Sequence, residues 1–398
     1  MTVSNNKKII FLNQMAGPLF RELAEDISIQ SASAQLITGH PDSLRLSSVP
    51  SLNIIKAPEY NRKNSFTRIF SWLKYFFKVF FILLYQNKKD LTLIVSNPPF
   101  LGLIGLLFSY IKKSKYAVLV YDIHPNILIN AGILKKNSSI CIAWRYMNKM
   151  IYKNAEIIIV LTDGMKEVLS TQFDKTKTSF HDIAIIPPWA DTQKIKPIPK
   201  ASNTFIRKFN LENKFVVLYS GNFGATHDLE SLMKAAFLLN HNDDIHFLFI
   251  GSGVKWQKVK GFIESNKLEN TTILHFLPEE ELPFSLTSAD LSIITMEPGT
   301  EGLMMPSKTY YSLAAGSAIG ALCSRDSDLN KLITKHDCGF SIEPNNETAL
   351  AANILELQRD QERLYKFQKN SRFAAETFYS RSINTNLFIQ YFKELKLL

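Results

Sequence analysis

Lys308 stands in the stretch LMMPSKTYYSLAAG (303–316). A strand-like run, DLSIITM, precedes it and a second apolar run, SAIGALC, follows, so the stretch reads as a short helix. Pro306 suits the first helical turn, where its missing N–H is no loss, and Gly316 suits the C-terminal end. A lysine in that first turn adds a cation where the helix dipole is already positive. The free N–H groups of such a turn also bind phosphate. Lys308 is therefore either a solvated surface lysine or the holder of an anion. A second turn, SGNFGATHD (220–228), offers Gly221, Asn222, Phe223 and Gly224 after a strand-like run. Glycines there let backbone N–H groups approach an anion, although an ordinary strand-to-helix turn has the same composition. His227 either joins that turn or caps the helix that Asp228 begins. Asp122 and His124, in YDIHPNILINAGIL (121–134), follow another strand. A histidine titrating near neutrality can polarise a bond or accept a proton; a capped Asp-x-His-Pro turn is the alternative. Gly17 and Pro18 follow the first strand, as a substrate-facing or merely helix-opening turn.

Other chemistries lack their residues. Asp326-Ser327-Asp328 mimics an Asp-x-Asp metal motif but lies between a strand and a helix, where helix capping is the better reading. His241, His246 and His275 show no ligand spacing and read as structural, so no metal requirement is expected. No GxGxxG follows the first strand of either half, and no GxxxxGK[ST] is present. There is no obvious pair of carboxylates or catalytic triad.

Of the 398 residues, 46 are Lys or Arg and 36 Asp or Glu, a net charge of +10. That favours an anionic partner: nucleic acid, acidic membrane or phosphorylated small molecules. No aromatic-basic RNA motif is visible, so nucleic acid is not expected. Cys141, Cys323 and Cys338 form no CxxC, which fits a reducing cytoplasm. The first residues, MTVSNNKKIIFLNQ, lack the apolar stretch and cleavage site of a signal peptide. No segment reaches the ~18–20 apolar residues of a spanning helix. FTRIFSWLKYFFKVFFILLY (66–85) comes part of the way, with Phe66, Ile69, Phe70, Leu73, Phe76, Phe77, Phe80 and Leu84 at helical spacing. Arg62, Lys63, Arg68, Lys74 and Lys78 surround them. This segment reads either as an interfacial helix resting on anionic lipid or as a buried covering helix.

The elements that must position these residues alternate along the whole chain. Strand candidates are 8–12, 34–38, 52–56, 91–96, 116–121, 156–161 and 182–186, with helices at 17–31, 66–86, 100–112, 139–152 and 162–171. They are apolar runs, as expected of parallel strands covered on both faces. PPWADTQKIKPIPKAS (187–202) breaks the rhythm and reads as a linker. Strands then recur at 215–220, 245–250, 272–276, 291–295, 318–322 and 339–342, and helical stretches at 346–375 and 380–396 close the chain. The fold class is α/β, two tandem Rossmann-like domains with a cleft between them.

SGNFGATHDLESLMKA (220–235), HFLPEEELPFSLTSADLSIITM (275–296) and PSKTYYSLAAG (306–316), in this order, resemble the donor-binding domain of the family 4 retaining glycosyltransferases. The branch they most resemble builds bacterial surface polysaccharides and has PSK opening its donor-site helix. The Asp-x-x-Pro segment at 122–125 is similar to that branch's first domain, and the likeness spans nearly the whole chain. It implies the GT-B fold: an acceptor-binding domain over 1–195, a nucleotide-sugar-binding domain over 203–378, and a C-terminal helix, 379–398, packing back on the first domain.

The resemblance implies that the donor diphosphate sits over the helix holding Ser307 and Lys308, whose charge stabilises the departing diphosphate. Donor contacts would come from Gly17, Gly221, Asn222, Phe223, Gly224, His227, Leu277, Glu301, Gly302, Ser307, Lys308 and Tyr311. Asp122 and His124 would meet the donor sugar or the acceptor hydroxyl and join Lys308 in the reaction. The chain departs from the family in three places. Asn222 and His227 stand where many relatives have arginine and lysine. The two glutamates expected at 303 and 311 are Leu303 and Tyr311. Glu301, two residues early, either reaches the sugar or is an exposed loop carboxylate.

The reaction implied is a front-face displacement in which a diphosphate oxygen takes the acceptor's proton. The donor would be UDP-linked and the acceptor a polyprenyl-diphosphate-linked saccharide. The enzyme would lie peripherally at the cytoplasmic face of an anionic membrane. Two alternatives stay open: a nucleotide-sugar epimerase of the same architecture, and a non-catalytic partner subunit, for which the missing glutamate pair argues.

Overall fold

The computed structural model describes residues 7–31, 33–45, 49–61, 64–172, 183–224 and 227–398. Arg62, Lys63 and Asp182 lie outside these residues, as do Ala225 and Thr226 of the second glycine turn. The chain divides into two units. Unit 1 holds 1–187, 302–304 and 382–398, and unit 2 holds 188–301 and 305–381.

Unit 1 is built on strands β1 (Lys8–Leu12), β2 (Ser33–Thr38), β3 (Leu52–Lys56), β4 (Leu91–Val95), β5 (Lys115–Leu119), β6 (Ile157–Val160) and β7 (Ile183–Ile185). They form one parallel sheet in the order β3-β2-β1-β4-β5-β6-β7. Every residue of β4 is buried, as in a strand covered on both faces. The helices are α1 (Pro18–Gln30), α2 (Pro41–Arg45), α3 (Ser65–Leu84), α4 (Gly102–Lys112), α5 (Asn126–Asn130), α6 (Ser139–Asn154) and α7 (Asp163–Thr171).

The connections β3–α3–β4, β4–α4–β5 and β5–α6–β6 all advance the same way across the sheet. Right-handed crossovers therefore place α3, α4 and α6 on one face, and α4 packs against both of its neighbours. Asn64 opens α3 with a capping box, its Oδ1 accepting from Thr67 N at 2.8 Å. α3 has one buried and one exposed stripe. Ser71, Tyr75, Val79 and Leu83 are buried, four residues apart, while Phe66, Ile69, Phe70, Leu73, Phe77, Phe81 and Leu84 are exposed. Lys112 at the end of α4 donates to the Leu83 and Gln86 oxygens at 3.1 and 3.0 Å, tying α4 to the C-terminus of α3. No helix of the described residues is long and apolar enough to cross a membrane.

Unit 2 contains β8 (Phe215–Asn222), β9 (Ile245–Ser252), β10 (Thr271–Leu274), β11 (Leu291–Thr295), β12 (Ala318–Leu322) and β13 (Gly339–Ile342), all parallel, in the order β10-β9-β8-β11-β12-β13. Its helices are α8 (Thr204–Lys208), α9 (Leu229–Leu238), α10 (Trp256–Ser265), α11 (Leu282–Leu286), α12 (Lys308–Ala315), α13 (Asp328–His336), α14 (Glu347–Arg359) and α15 (Gln361–Phe378). The stretch read as one helix, 346–375, is broken where Asp360 caps α15 by accepting from Arg363 N at 2.9 Å. α16 (Arg381–Glu394) follows, and residues 382–398 group with unit 1.

The segment read as a linker is not free chain. Ala190 pairs with Ser380, and Arg372 of α15 donates to the Thr192 and Ile195 oxygens at 2.9 and 2.7 Å. Trp189 is fully buried, so unit 2 begins at residue 188.

Candidate active site

The end of β8 builds the first part of the site in unit 2. The strand runs two residues further than its apolar pattern, and Gly221 and Asn222 pair with Gly251 and Ser252 of β9. Gly251, at φ +154°, lies so close to Gly221 that a Cβ would overlap the Gly221 oxygen. Gly251→Ala should therefore force the two strand ends apart and cost more than about 3 kcal/mol. Urea unfolding checks this, and near-wild-type stability would refute the close approach.

Phe223 turns inward and is fully buried against Tyr219 and Phe249. Its side chain belongs to the core, which leaves only its backbone for a ligand. Gly224 follows; a Cβ there would meet Asn222 Nδ2 at 2.8 Å and His227 Cδ2 at 3.2 Å. Asp228, not His227, caps α9: its carboxylate accepts from Ser231 N at 3.0 Å and from Asn345 N at 3.0 Å. His227 is thereby left to face the site.

α12 supplies the second part. Lys308 is its first residue, Ser307 is its exposed N-cap, and Pro306 lies one position earlier than the first turn. Gly316 closes the helix in the left-handed region at φ +72°. Lys308 is half-buried, not a solvated surface lysine. Its Nζ stands 3.8 Å from the Tyr219 ring centroid and 3.4 Å from His227 Nδ1. Gly221 is the floor beneath it: a Cβ there would sit 3.5 Å from Nζ. No carboxylate among the described residues pairs with Lys308, and burial pushes its ammonium down to about 7. An ammonium under this strain destabilises the free chain. Lys308→Met should raise the melting temperature by about 2–4 °C, and a fall would show that the ammonium is already satisfied.

Lys255, absent from the sequence reading, braces the turn from β9's side. Its Nζ donates to the His227 oxygen at 2.7 Å and pairs with Glu230 at 3.2 Å and Glu297 at 3.5 Å. The signal for it was present: Gly251-Ser252-Gly253 ends the strand next to Ser220-Gly221-Asn222, two glycine-bearing strand ends side by side. Tyr219 was hidden because it reads as one more apolar strand residue.

The structure thus brings together Gly221, Asn222, Gly224, His227, Ser307 and Lys308. Tyr311 lies three residues further into α12, half-buried. Leu277 is half-buried on the loop after β10. Glu301 is half-buried in the loop before α12, and Gly302 is buried in unit 1, where a Cβ would meet the Gly164 oxygen at 2.9 Å. Leu303, at one glutamate position, is buried in unit 1 and accepts from Ile123 N at 2.9 Å.

In unit 1, Asp122 and His124 line one pocket with Trp144 and Asn148. The His124 ring stacks on Trp144, centroids 5.7 Å apart, and Asn148 Nδ2 donates to the His124 oxygen at 2.7 Å. Burial pushes His124 down to about 4, so the expected titration near neutrality does not occur; the ring is neutral at pH 7. Burial raises Asp122 to about 6, which makes the carboxyl the group that titrates close to neutrality. Gly17 precedes α1, and a Cβ there would meet nothing within 4 Å.

Asp326-Ser327-Asp328 is a cap: Ser327 Oγ accepts from Asn330 N at 3.1 Å at the start of α13. His246 bonds Thr272 Oγ1 at 2.8 Å and His275 stacks on Trp256.

Residues 202–373 match the family model described as Glycosyl transferases group 1. The chain is similar to the probable glycosyltransferase WbjE of Pseudomonas aeruginosa, 29% identical over 274 residues, 68% of this chain and 66% of that protein. It is 24% identical over 176 residues to the putative colanic acid biosynthesis glycosyl transferase WcaI of Escherichia coli (strain K12), covering 44% and 43% of the two chains. The chain thus spans less than two thirds of the length of these curated relatives. Among solved structures, sucrose-phosphate synthase from Thermosynechococcus elongatus superposes with a TM-score of 0.75 at 15% identity, covering 98% of this chain and 99% of that one. HepE from Anabaena, solved with UDP and glucose, gives 0.75 at 13% identity, covering 98% and 100%. At these identities the likeness is one of fold, and the fold is the GT-B architecture of two Rossmann-like domains.

Proposed function

We propose, from the match of residues 202–373 to the glycosyl transferases group 1 family, that this chain is a retaining glycosyltransferase of bacterial surface-polysaccharide synthesis. It moves a sugar from a UDP-linked donor to a polyprenyl-diphosphate-linked saccharide. The observation that carries this reading is the Lys308 ammonium, half-buried at the start of α12 and without a carboxylate partner among the described residues. A donor's diphosphate supplies the missing anion, and its charge grows as the glycosidic bond breaks. Neutral His227 adds no positive charge, so charge compensation rests on Lys308. UDP is the first nucleotide to test because HepE was solved with it.

The acceptor end of the proposal rests on unit 1. Residues 60–155 contain fifteen Lys and Arg against two Asp and no Glu, a net of +13. In the rest of the chain 31 Lys and Arg face 34 Asp and Glu, a net of −3. This basic stretch includes the layer α3–α4–α6, with exposed Phe66, Phe70 and Phe77 on α3 and Leu107, Tyr110 and Ile111 on α4. Apolar side chains amid cations suit an anionic lipid surface, where a lipid-linked acceptor resides.

The test incubates the full chain with UDP-glucose, UDP-N-acetylglucosamine or UDP-galactose and a polyprenyl-diphosphate monosaccharide in vesicles. Transfer with the donor's anomeric configuration kept supports the reading. Release of a 2-epimerised sugar would instead establish the epimerase alternative, and donor binding without turnover the non-catalytic one.

A further inference from the structure

The Tyr219 hydroxyl carries one proton and has three polar neighbours; one of them, the Thr295 side chain, has its own hydroxyl hydrogen to donate to the phenol oxygen. The Tyr219 Oη lies 2.8 Å from the backbone oxygen of Asn222 and 2.6 Å from His227 Nδ1. A carbonyl oxygen only accepts, so the Tyr219 proton goes to Asn222. Burial holds the phenol well above its ordinary range, so it keeps that proton. The 2.6 Å contact then needs a hydrogen from the imidazole, on Nδ1. Burial first, then Lys308 and Lys255, push His227 down to about 3, so the ring is neutral and carries one hydrogen only. That leaves Nε2 bare. Nε2 makes no hydrogen bond among the described residues, and it faces Gly224, where a Cβ would lie 3.5 Å away. The Lys308 ammonium meets the hydrogen-bearing side of the ring at 3.4 Å and turns to the Tyr219 π-face instead.

We propose that His227 presents a lone pair to the donor and accepts a hydrogen bond from one of its hydroxyls, with Tyr219 as the residue that fixes this orientation. A lone pair beside a phosphate oxygen is repulsive, so His227 selects a hydroxyl of the sugar or the ribose and leaves the diphosphate to Lys308. The inference rests on unit 2 being the donor site.

Two measurements test it on the full chain. Nitrogen-15 NMR of labelled histidine reads the ring without any ligand, the His227 signals being assigned by their loss in His227→Gln. Hydrogen on Nδ1 in the wild type, shifting to Nε2 in Tyr219→Phe, is expected; an Nε2–H ring in the wild type overturns the proposal. Titration calorimetry with UDP-glucose reads the second half. His227→Gln places an amide oxygen near the Nε2 position, while His227→Asn retains only an amide nitrogen near Nδ1. The glutamine variant should bind within about threefold of wild type and the asparagine variant about tenfold more weakly, the worth of one hydrogen bond. Equal loss in both variants, or retention by asparagine alone, overturns the proposal. Wild type that binds no UDP-sugar sinks the donor reading and this inference together. An Nε2–H ring with binding intact sinks this inference alone.

Discussion

Lys308→Ala is expected to weaken UDP-glucose binding by about ten- to a hundredfold at pH 7, the range of a hydrogen bond to a charged group. The wild type should add a pH dependence of fixed sign. Burial holds the free lysine at about 7, and a bound diphosphate favours the ammonium and raises that value. Below pH 7 the free site is already charged and affinity is flat. Above pH 7 binding must take up a proton, so affinity falls, approaching tenfold per pH unit. Neighbouring groups do not supply this slope. His227, at about 3, is neutral throughout, and the buried Tyr219 phenol stays protonated. The diphosphate of a UDP-sugar has no ionisation in this window. Calorimetry from pH 6 to 9 reads the profile. Lys308→Arg, charged throughout, should flatten it; a flat wild-type profile would return the lysine to a structural role.

Phe70→Glu with Phe77→Glu is expected to abolish binding to vesicles containing anionic lipid, a loss of about a hundredfold or more. Each phenylalanine is more than half exposed, 59% and 55%, so the exchange costs the fold little. On a membrane, each buried aromatic contributes about 1.5–3 kcal/mol, and each new carboxylate also meets like charge. Lys74, whose Nζ stands 4.5 Å over the Phe70 ring, marks where the apolar stripe meets its basic flank. Wild-type binding should weaken as salt rises, about 1 kcal/mol being at stake per cation at the surface. Vesicle sedimentation reads both effects. Unchanged sedimentation of the double variant, with circular dichroism showing it folded, would remove α3 from the membrane.

Much of this architecture was legible because parallel strands covered on both faces must be largely apolar, as β4 (LTLIV) and β11 (LSIIT) are: both are buried along their whole length, with only Thr92, Ser292 and Thr295 polar. The limits of that signal show at β8. Its pairing continues through Gly221 and Asn222, whose side chains give no apolar mark, and the close packing of Gly251 on Gly221 is a property of two strands that no single segment encodes. Lys308 was legible because a cation at a helix start violates a local rule. Tyr219 and Lys255 violate none: a buried tyrosine looks like core, and a lysine after a glycine loop looks like surface. The lowered pKa of His124 has no local signal, since desolvation by Trp144 and its surroundings is a tertiary effect. The α3 segment reads as apolar nearly all round, and which of its residues are buried and which exposed is set by its packing in the fold.

The three residues Gly302–Met304 carry a practical consequence. They interrupt the sequence of unit 2 yet pair with Asp122 and Ile123 of unit 1. A chimera that exchanges unit 2 for a relative's, to change the sugar transferred, would therefore import the neighbour of Asp122 along with it. Such a hybrid would seldom be a clean swap of specificity: keeping this chain's own Leu303 and Met304 at the graft is what would leave the buried carboxyl in its native setting.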